Sequence, residues 1–258
     1  MIKNNWLFDK LKNGSGPCIG FWSVIPSVAW VDVLASANPD FIIIDGEHGP
    51  CGFETALKLA ITCESHGVSP IMRVSGVSES ECLKALDIGF HGIQVPNVNH
   101  LSQARDVVKY SKFQPLGNRG LSPFNRGGGY SPSNLREKIK TANENTLTNI
   151  HIEGKAGIDN IDRFLSIDGI DVFFIGLYDI SNYLGIPGEI DNPKVIELLQ
   201  VLNEKIVNAG KICGSISSTS EQLNLLREIG VRYITHSVDC YIAKNAFDEI
   251  VEGFHESR

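Results

Sequence analysis

Glu153 and Asp179 each end an apolar run of strand-forming residues, which makes them candidates for a metal site. Glu153 closes the run Leu-Thr-Asn-Ile-His-Ile-Glu, and Asp179 closes the run Ile-Asp-Val-Phe-Phe-Ile-Gly-Leu-Tyr-Asp. The two acids are 26 residues apart, about one strand–helix–strand repeat of a parallel sheet. Their carboxylates would then stand side by side at one sheet edge, where they suit a hard divalent cation such as Mg²⁺ or Mn²⁺.

Each acid also has an ordinary structural explanation. Glu153 could cap the helix that follows its strand, and Asp179, which precedes Ile-Ser, could be a turn or N-cap residue. The metal site is favoured because two structural caps need not fall on adjacent strand ends.

The rest of the chain repeats the same strand–helix unit. Strands are predicted at 18–22, 41–44, 70–73, 92–95, 147–153, 170–175, 211–215 and 231–235. Helices are predicted at 4–12, 26–37, 53–66, 79–86, 101–110, 134–142, 157–166, 193–209, 219–229 and 239–254. Eight pairs without a linker favour an α/β fold, a single (β/α)8 TIM barrel over residues 1–258. An open doubly wound sheet fits less well because no G-x-G-x-x-G opens a helix.

Bulk composition narrows the class of partner. The 258 residues are 42% apolar with a net charge of −7, which allows a large core and argues against nucleic acid as a partner. No apolar run reaches the ~18 residues of a membrane span, and the N-terminus is too polar for a signal peptide. The six dispersed cysteines favour a reducing compartment. We therefore expect a cytoplasmic protein.

In a barrel of this kind the active site lies at the carboxyl ends of the strands. Besides the two acids, the predicted ends carry polar and aromatic groups: Trp22, Asp45 to His48, Arg73, Gln94, Ser215 to Ser218 and Thr235 to Ser237. Alone, His48 could be a surface histidine, Arg73 could pair with Asp45 or Glu47, and Asp87 could be a solvated turn acid. A histidine, an arginine and two acids at one mouth nevertheless form a plausible catalytic set.

A long polar, glycine-rich segment at 113–133 interrupts the repeat. It contains Arg119 and Arg126. Loops of this length in a compact domain are usually functional, so we expect an active-site loop that acts as a lid or binds the second substrate.

These motifs resemble a known family over almost the whole chain. The residues that carry the resemblance are Asp45-Gly-Glu-His48, Arg73, Leu86 to Gly89, Val95-Pro96, Pro115 to Gly120, Ile152-Glu153 and Ile175 to Ser181. They are similar to the metal-dependent (class II) pyruvate aldolases of the aldolase/citrate lyase family, typified by 4-hydroxy-2-oxoheptanedioate aldolase and 2-keto-3-deoxy-L-rhamnonate aldolase.

The resemblance implies a barrel of the phosphoenolpyruvate/pyruvate-binding type, commonly a homo-oligomer (a hexamer) with an exchanged terminal helix. It implies Mg²⁺ or Mn²⁺ held by Glu153 and Asp179, a proton-transferring pair of His48 and Asp87, and Arg73 on the keto oxygen of pyruvate. Substrate contacts are assigned to residues at the strand ends: Trp22, Arg73, His151, Gly176, Leu177 and Ser215.

The implied reaction suits these groups. Cleavage of a 4-hydroxy-2-oxo acid to pyruvate and an aldehyde passes through an enolate, and a divalent ion with Arg73 stabilises its charge. A histidine such as His48 can take the hydroxyl proton near neutral pH.

Some residues depart from the family pattern. His151 stands where Gln is common and could be an extra ligand, a second base or a block on pyruvate; Gly154 and Leu177 replace Thr and Pro. A CoA-thioester lyase of the citrate lyase β-subunit type and a non-catalytic descendant remain alternatives. A Schiff-base aldolase is disfavoured because Lys155 and Lys211 do not lie within apolar strands.

Overall fold

Eight parallel strands form the centre of the protein. In the computed structural model, which describes residues 5–14 and 16–256, neighbouring strands pair in chain order and the eighth pairs with the first. The strands are β1 (Cys18–Ser23), β2 (Phe41–Asp45), β3 (Ser69–Arg73), β4 (Gly92–Val95), β5 (Leu147–Ile152), β6 (Val172–Ile175), β7 (Ile212–Ser217) and β8 (Tyr233–Val238). The predicted closed (β/α)8 barrel is confirmed.

Helices surround this barrel. They are α1 (Trp6–Lys12), α2 (Val28–Ser36), α3 (Phe53–Ser65), α4 (Glu79–Asp87), α5 (Leu101–Ser111), α6 (Leu135–Asn145), α7 (Lys155–Asp159), α8 (Ile161–Leu165), α9 (Leu177–Tyr183), α10 (Pro193–Asn208), α11 (Ser220–Glu228) and α12 (Asp239–Glu256). The predicted start of the first helix at residue 4 lies outside the described residues. The predicted helix at 157–166 is two short helices, α7 and α8.

Large side chains fill the barrel interior. Phe41 and Tyr233, both fully buried, stack with their ring centroids 4.2 Å apart. Helix α1 covers the amino-terminal end of the barrel with Leu7 and Leu11, and the Leu7 amide donates to Ser69 at the start of β3 (3.3 Å). One end of the barrel is therefore closed, and the carboxyl ends of the strands face the open mouth.

The 113–133 segment lies at the closed end. Each helix of a β/α repeat returns to the amino-terminal ends of the strands, and this segment follows α5. Arg119 donates to Asp87 at the end of α4 (2.8 Å), and Arg126 forms an ion pair with Glu64 near the end of α3. The expectation of a lid over this chain's own mouth does not fit that position, since the segment packs at the opposite end.

The last helix leaves much of its apolar surface uncovered. Asp239 is the buried residue of α12, where it accepts hydrogen bonds from Ser23 (2.7 Å) and Trp30 (2.9 Å) and so fixes the start of the helix. Farther along, Phe247 and Ile250 are 66% and 71% exposed. An apolar stripe of this kind is typical of a contact with another chain.

The six cysteines, all within the described residues, are free thiols, and Cys18, Cys63, Cys82 and Cys213 are buried. None of the described helices has the length and apolar composition needed to cross a bilayer.

Candidate active site

A cavity of about 290 Å³ opens at the carboxyl ends of the strands. Most of the residues predicted for the site line it: Trp22, His48, Arg73, His151, Glu153, Gly176, Leu177 and Asp179. The alternation of side chains along β1, β3 and β5 points Trp22, Arg73 and His151 inward, because successive residues of a strand face opposite sides. The structure therefore brings most of the predicted set together.

Glu153 and Asp179 both border the space above Gly176. A Cβ added to Gly176 would lie 3.2 Å from Cγ of Glu153 and 3.3 Å from Oδ2 of Asp179. The absent side chain leaves a cradle between two carboxylates, and this donor set fits Mg²⁺ or Mn²⁺, which bind one or two carboxylates and take other oxygens from water or substrate. Among the described residues, no group of three or more His, Cys, Asp or Glu is placed to hold a metal. If a metal binds in this cradle, Glu153 and Asp179 are the two carboxylates beside it.

Asp179 reaches this cradle from a helix that the sequence pattern did not predict. It lies in the first turn of α9, where Gly176 is the N-cap, and does not directly end a strand. Acidic residues are favoured in a first helical turn, so the turn or N-cap explanation holds locally while the carboxylate still faces the cavity.

The two carboxylates differ electrostatically. Burial raises the pKa of Asp179, and the nearby charge of Glu153 raises it further. Burial also acts on Glu153, but the hydrogen bond and charge of His151, with the amide of Asn97, hold its pKa below the usual range. A bound cation would relieve the repulsion between the two carboxylates.

His151 is held by contacts on both ring nitrogens. Nδ1 lies 2.5 Å from Oε1 of Glu153, and because a carboxylate accepts, Nδ1 carries a proton. Nε2 lies 2.6 Å from the side-chain amide nitrogen of Gln94, which Tyr233 fixes in turn by donating to the amide oxygen (3.0 Å). The ring also stacks on Phe174 at 4.8 Å. With both nitrogens engaged, His151 orients Glu153 and leaves no nitrogen for a metal.

Arg73 is fixed on three sides. Nε donates to Oδ1 of Asp45 (2.9 Å), Nη2 pairs with the other oxygen of Asp45, and Nη1 lies 2.9 Å from Oε2 of Glu47. The guanidinium carbon lies 4.4 Å from the centre of the Trp22 ring, a cation–π arrangement. Three of the five N–H donors are used, and the remaining ones can meet an oxygen in the cavity.

Asp45 holds Arg73 in this position, and it is one of the two partners for Arg73 that the sequence left open. It is 1% exposed and also accepts from the indole of Trp22 (3.2 Å) and the amide of His48 (3.2 Å). Burial would raise its pKa, but the hydrogen bonds and charge of Arg73 hold the pKa of Asp45 below the usual value. The alternative that Arg73 pairs with Asp45 or Glu47 is therefore correct for both acids, and the pairing aims Arg73 into the cavity.

His48 and Asp87 do not meet within one chain. His48 is exposed at the rim of the cavity, whereas Asp87 ends α4 at the closed end of the barrel and bonds Arg119. The reason is the direction of α4, which runs away from the mouth. A pair of His48 and Asp87 can form only between two copies of the chain.

Ser215 also lies away from the cavity, contrary to prediction. Its hydroxyl donates to the carbonyl of Ile175 (3.0 Å), and the residue is fully buried. Strand alternation turns Ser215 outward and places Ile216 on the cavity wall. Counting the alternation from Gly214, whose Cβ would meet the interior rings of Phe174 and Tyr233, gives the correct face.

The fold and this cavity define a (β/α)8 barrel protein with an acidic site at the mouth of the barrel. Comparison with known proteins identifies the family to which it belongs. The chain belongs to the HpcH/HpaI aldolase/citrate lyase family, which residues 19–245 match; the resemblance inferred from the motifs is confirmed.

Named relatives include a 5-keto-4-deoxy-D-glucarate aldolase of Enterobacter sp. (strain 638), 26% identical over 236 residues, 92% of this chain and 91% of the relative. A 2-keto-3-deoxy-L-rhamnonate aldolase of Escherichia coli O17:K52:H18 (strain UMN026 / ExPEC) is 26% identical over 251 residues, 97% of this chain and 93% of the relative. Among solved structures, an HpcH/HpaI aldolase from Desulfitobacterium hafniense DCB-2 superposes with a TM-score of 0.91 at 26% identity, covering 97% of each chain.

Proposed function

We propose that this protein is a divalent-metal-dependent aldolase that reversibly cleaves a 4-hydroxy-2-oxo acid to pyruvate and an aldehyde. The observation that carries the proposal is the convergence of Glu153 and Asp179 over Gly176, in the cavity that Arg73 also lines. Membership of an aldolase/citrate lyase family and the aldolase names of the relatives support carbon–carbon lyase chemistry.

Glu153 and Asp179 would hold Mg²⁺ or Mn²⁺, and the ion would supply Lewis-acid stabilisation of the negative charge that develops during the reaction. Arg73 donates hydrogen bonds to the oxygen on which negative charge develops as the C3–C4 bond breaks. Asp45, Glu47 and Trp22 hold the guanidinium in place before the reaction, so no reorganisation energy is needed at that step. His151 keeps Glu153 oriented.

His48 is our candidate for the base that takes the proton of the C4 hydroxyl. It lies on the cavity rim, and proton transfer by one positioned group contributes typically ~10²–10⁴-fold. Asp87 can assist only when a second copy presents its closed end to this mouth. The proposal therefore includes a homo-oligomer, for which the exposed apolar stripe of α12 offers a contact surface.

Deuterium exchange into the methyl group of pyruvate, followed by NMR, tests the proposal without any choice of aldehyde. We expect exchange that requires Mg²⁺ or Mn²⁺, stops with EDTA and is lost in Glu153→Gln. The Glu189→Gln variant, which alters an exposed acid away from the cavity, is the control. Metal binding without exchange would refute the pyruvate enolate step.

The CoA-thioester alternative remains a second candidate because the family description includes citrate lyase. Cleavage of a 3-hydroxyacyl-CoA or citryl thioester without exchange into pyruvate would favour it. Failure to bind a divalent cation would favour a non-catalytic protein.

A further inference from the structure

The cavity has two chemically different walls. One wall carries charged and polar groups from β2, β3, the end of β5 and the start of α9: Asp45, Arg73, His151, Glu153 and Asp179. The other is built by Val24, Ile216 and Val238, which follow or belong to β1, β7 and β8, with Leu177 beside them. Because β7, β8 and β1 are consecutive in the closed barrel, the apolar residues form one continuous surface opposite the charged groups.

Polar groups near this apolar wall are already engaged. Ser217, which alternation turns outward from β7, bonds His236 (2.9 Å), and Ser23 bonds Asp239 (2.7 Å). At the rim, the hydroxyl of Tyr178 lies 3.3 Å from that of Ser218. Among the described residues, those that β1, β7 and β8 contribute to the cavity carry no charge, and the indole nitrogen of Trp22 is taken by Asp45.

The cavity is larger than pyruvate alone requires. Its volume of about 290 Å³ is close to the lower end of the roughly 300–1,000 Å³ of pockets that bury much larger ligands, whereas pyruvate has six non-hydrogen atoms. If the oxygens of pyruvate face the charged groups, its methyl carbon points toward Val24, Ile216 and Val238. An aldehyde that bonds to this carbon would then approach along the apolar wall.

We propose that the second substrate is an aldehyde with an apolar chain, selected by Val24, Ile216 and Val238. This inference rests on the proposed aldolase function and deepens it. In condensation, the pyruvate methyl group loses a proton, a bond forms between C3 and the aldehyde carbon, and the aldehyde oxygen gains a proton. The chain of the aldehyde is then buried against the apolar wall, where a carboxylate or hydroxyl group would lose water without gaining a hydrogen bond from Val24, Ile216 or Val238.

The expected selectivity follows from the cost and gain of burial. Each methylene buried against the wall contributes about 0.8 kcal/mol, or roughly fourfold in kcat/KM. A carboxylate or hydroxyl placed in the same space loses hydrogen bonds to water, which costs at least about tenfold. Apolar and polar aldehydes of matched length should therefore differ strongly in kcat/KM.

The test measures condensation with pyruvate and Mg²⁺ in the full-length protein, with concentrations corrected for aldehyde hydration. Propanal is compared with glyceraldehyde, and pentanal with succinic semialdehyde. We expect kcat/KM to rise from propanal to pentanal and to favour pentanal over succinic semialdehyde by at least about tenfold. In Ile216→Ser and, separately, Val24→Ser, this ratio should fall several-fold when rates are normalised to each variant's own pyruvate exchange.

Pyruvate exchange distinguishes a failure of the selectivity inference from a failure of the proposed aldolase function. Equal or higher kcat/KM for succinic semialdehyde, with pyruvate exchange intact, would overturn the selectivity inference alone. Absence of pyruvate exchange in the wild-type protein would overturn the proposed function and this inference with it.

Discussion

Asp45→Asn tests how Arg73 is held in the site. Asp45 accepts five hydrogen bonds, from the Trp22 indole, the Glu47 and His48 amides and two nitrogens of Arg73. An asparagine of the same size turns an NH₂ group toward some of these donors and removes the charge that faces a buried guanidinium. The substitution should therefore weaken both folding and catalysis.

The magnitude follows from the burial of the pair. Removing one partner of a buried ion pair costs about 3–5 kcal/mol, and Glu47, 2.9 Å from Nη1 of Arg73, keeps part of the compensation. We expect the free energy of unfolding to fall by about 3 kcal/mol, or roughly 6–12 °C in Tm for a chain of this size. Pyruvate exchange should fall at least about tenfold, since a misplaced Arg73 no longer meets the developing charge.

Urea unfolding at fixed protein concentration is the assay, with metal-supported exchange measured on the same samples. Glu54→Gln, which breaks an exposed pair with Lys58 (3.0 Å), is the matched control and should leave the unfolding midpoint unchanged. Wild-type stability in Asp45→Asn would refute the inference that Asp45 fixes Arg73.

The same residue predicts a dependence on pH. Because the pKa of Asp45 is held below its usual value, its stabilisation is complete above the unfolded pKa of about 3.9 and is lost as the pH falls through the lower folded pKa. Asp45→Asn should therefore show a smaller loss of unfolding free energy on acidification below about pH 4 than the wild type does. An identical slope in both proteins would contradict this assignment.

Three further predictions concern the metal, the acid–base pair and the oligomer. Isothermal titration with Mn²⁺ should show affinity reduced at least about tenfold in Glu153→Gln and in Asp179→Asn, because each removes one anionic ligand; unchanged affinity would place the metal elsewhere. The acid–base pair can be tested by mixing inactive His48→Asn and Asp87→Asn proteins and allowing their subunits to exchange. Activity should return at roughly one quarter of the sites, since the two intact residues must come from different chains. No recovery of activity would argue against a pair shared between chains. Phe247→Asp should shift the mass measured by light scattering toward the monomer, and an unchanged mass would show that this part of α12 is not an interface.

The regular spacing of apolar runs made the barrel predictable. Eight runs such as 41–44 and 170–175 are long enough for buried strands, and the acids after two of them met as expected. The prediction that these acids lie close together is correct because parallel strands in a closed barrel bring all their carboxyl ends to one face, independently of the conformation of the loops.

The predictions are wrong where the position of a residue depends on the direction of a helix or on the alternation of side chains along a strand. Proximity to a strand end predicts that Ser215 faces the cavity, although the alternation that turns Ile216 inward turns Ser215 outward. The resemblance pairs Asp87 with His48, and the 113–133 segment is predicted to be an active-site loop, although helices α4 and α5 both carry the chain to the closed end. The correct positions follow from β/α geometry and can be predicted from the sequence once that geometry is taken into account.

The role of Asp45 illustrates what local patterns do not contain. The sequence offers Asp45 and Glu47 as alternative partners of Arg73, but it does not show that Asp45 bonds both Trp22 and Arg73, which lie 23 and 28 residues away in the chain. The contact of Gln94 with His151 spans 57 residues. Such partners are set by the register between strands, which periodicity within one strand cannot specify.

The most direct test of the account is the position of a bound cation. Crystals grown with Mn²⁺ and pyruvate would give an anomalous scattering map of the metal. We predict one strong peak at the mouth of the barrel, coordinated by oxygens of both Glu153 and Asp179, with pyruvate between the metal and Arg73. A peak at another site, or none with Mn²⁺ in excess, would contradict the proposed metal centre and the enolate chemistry built on it.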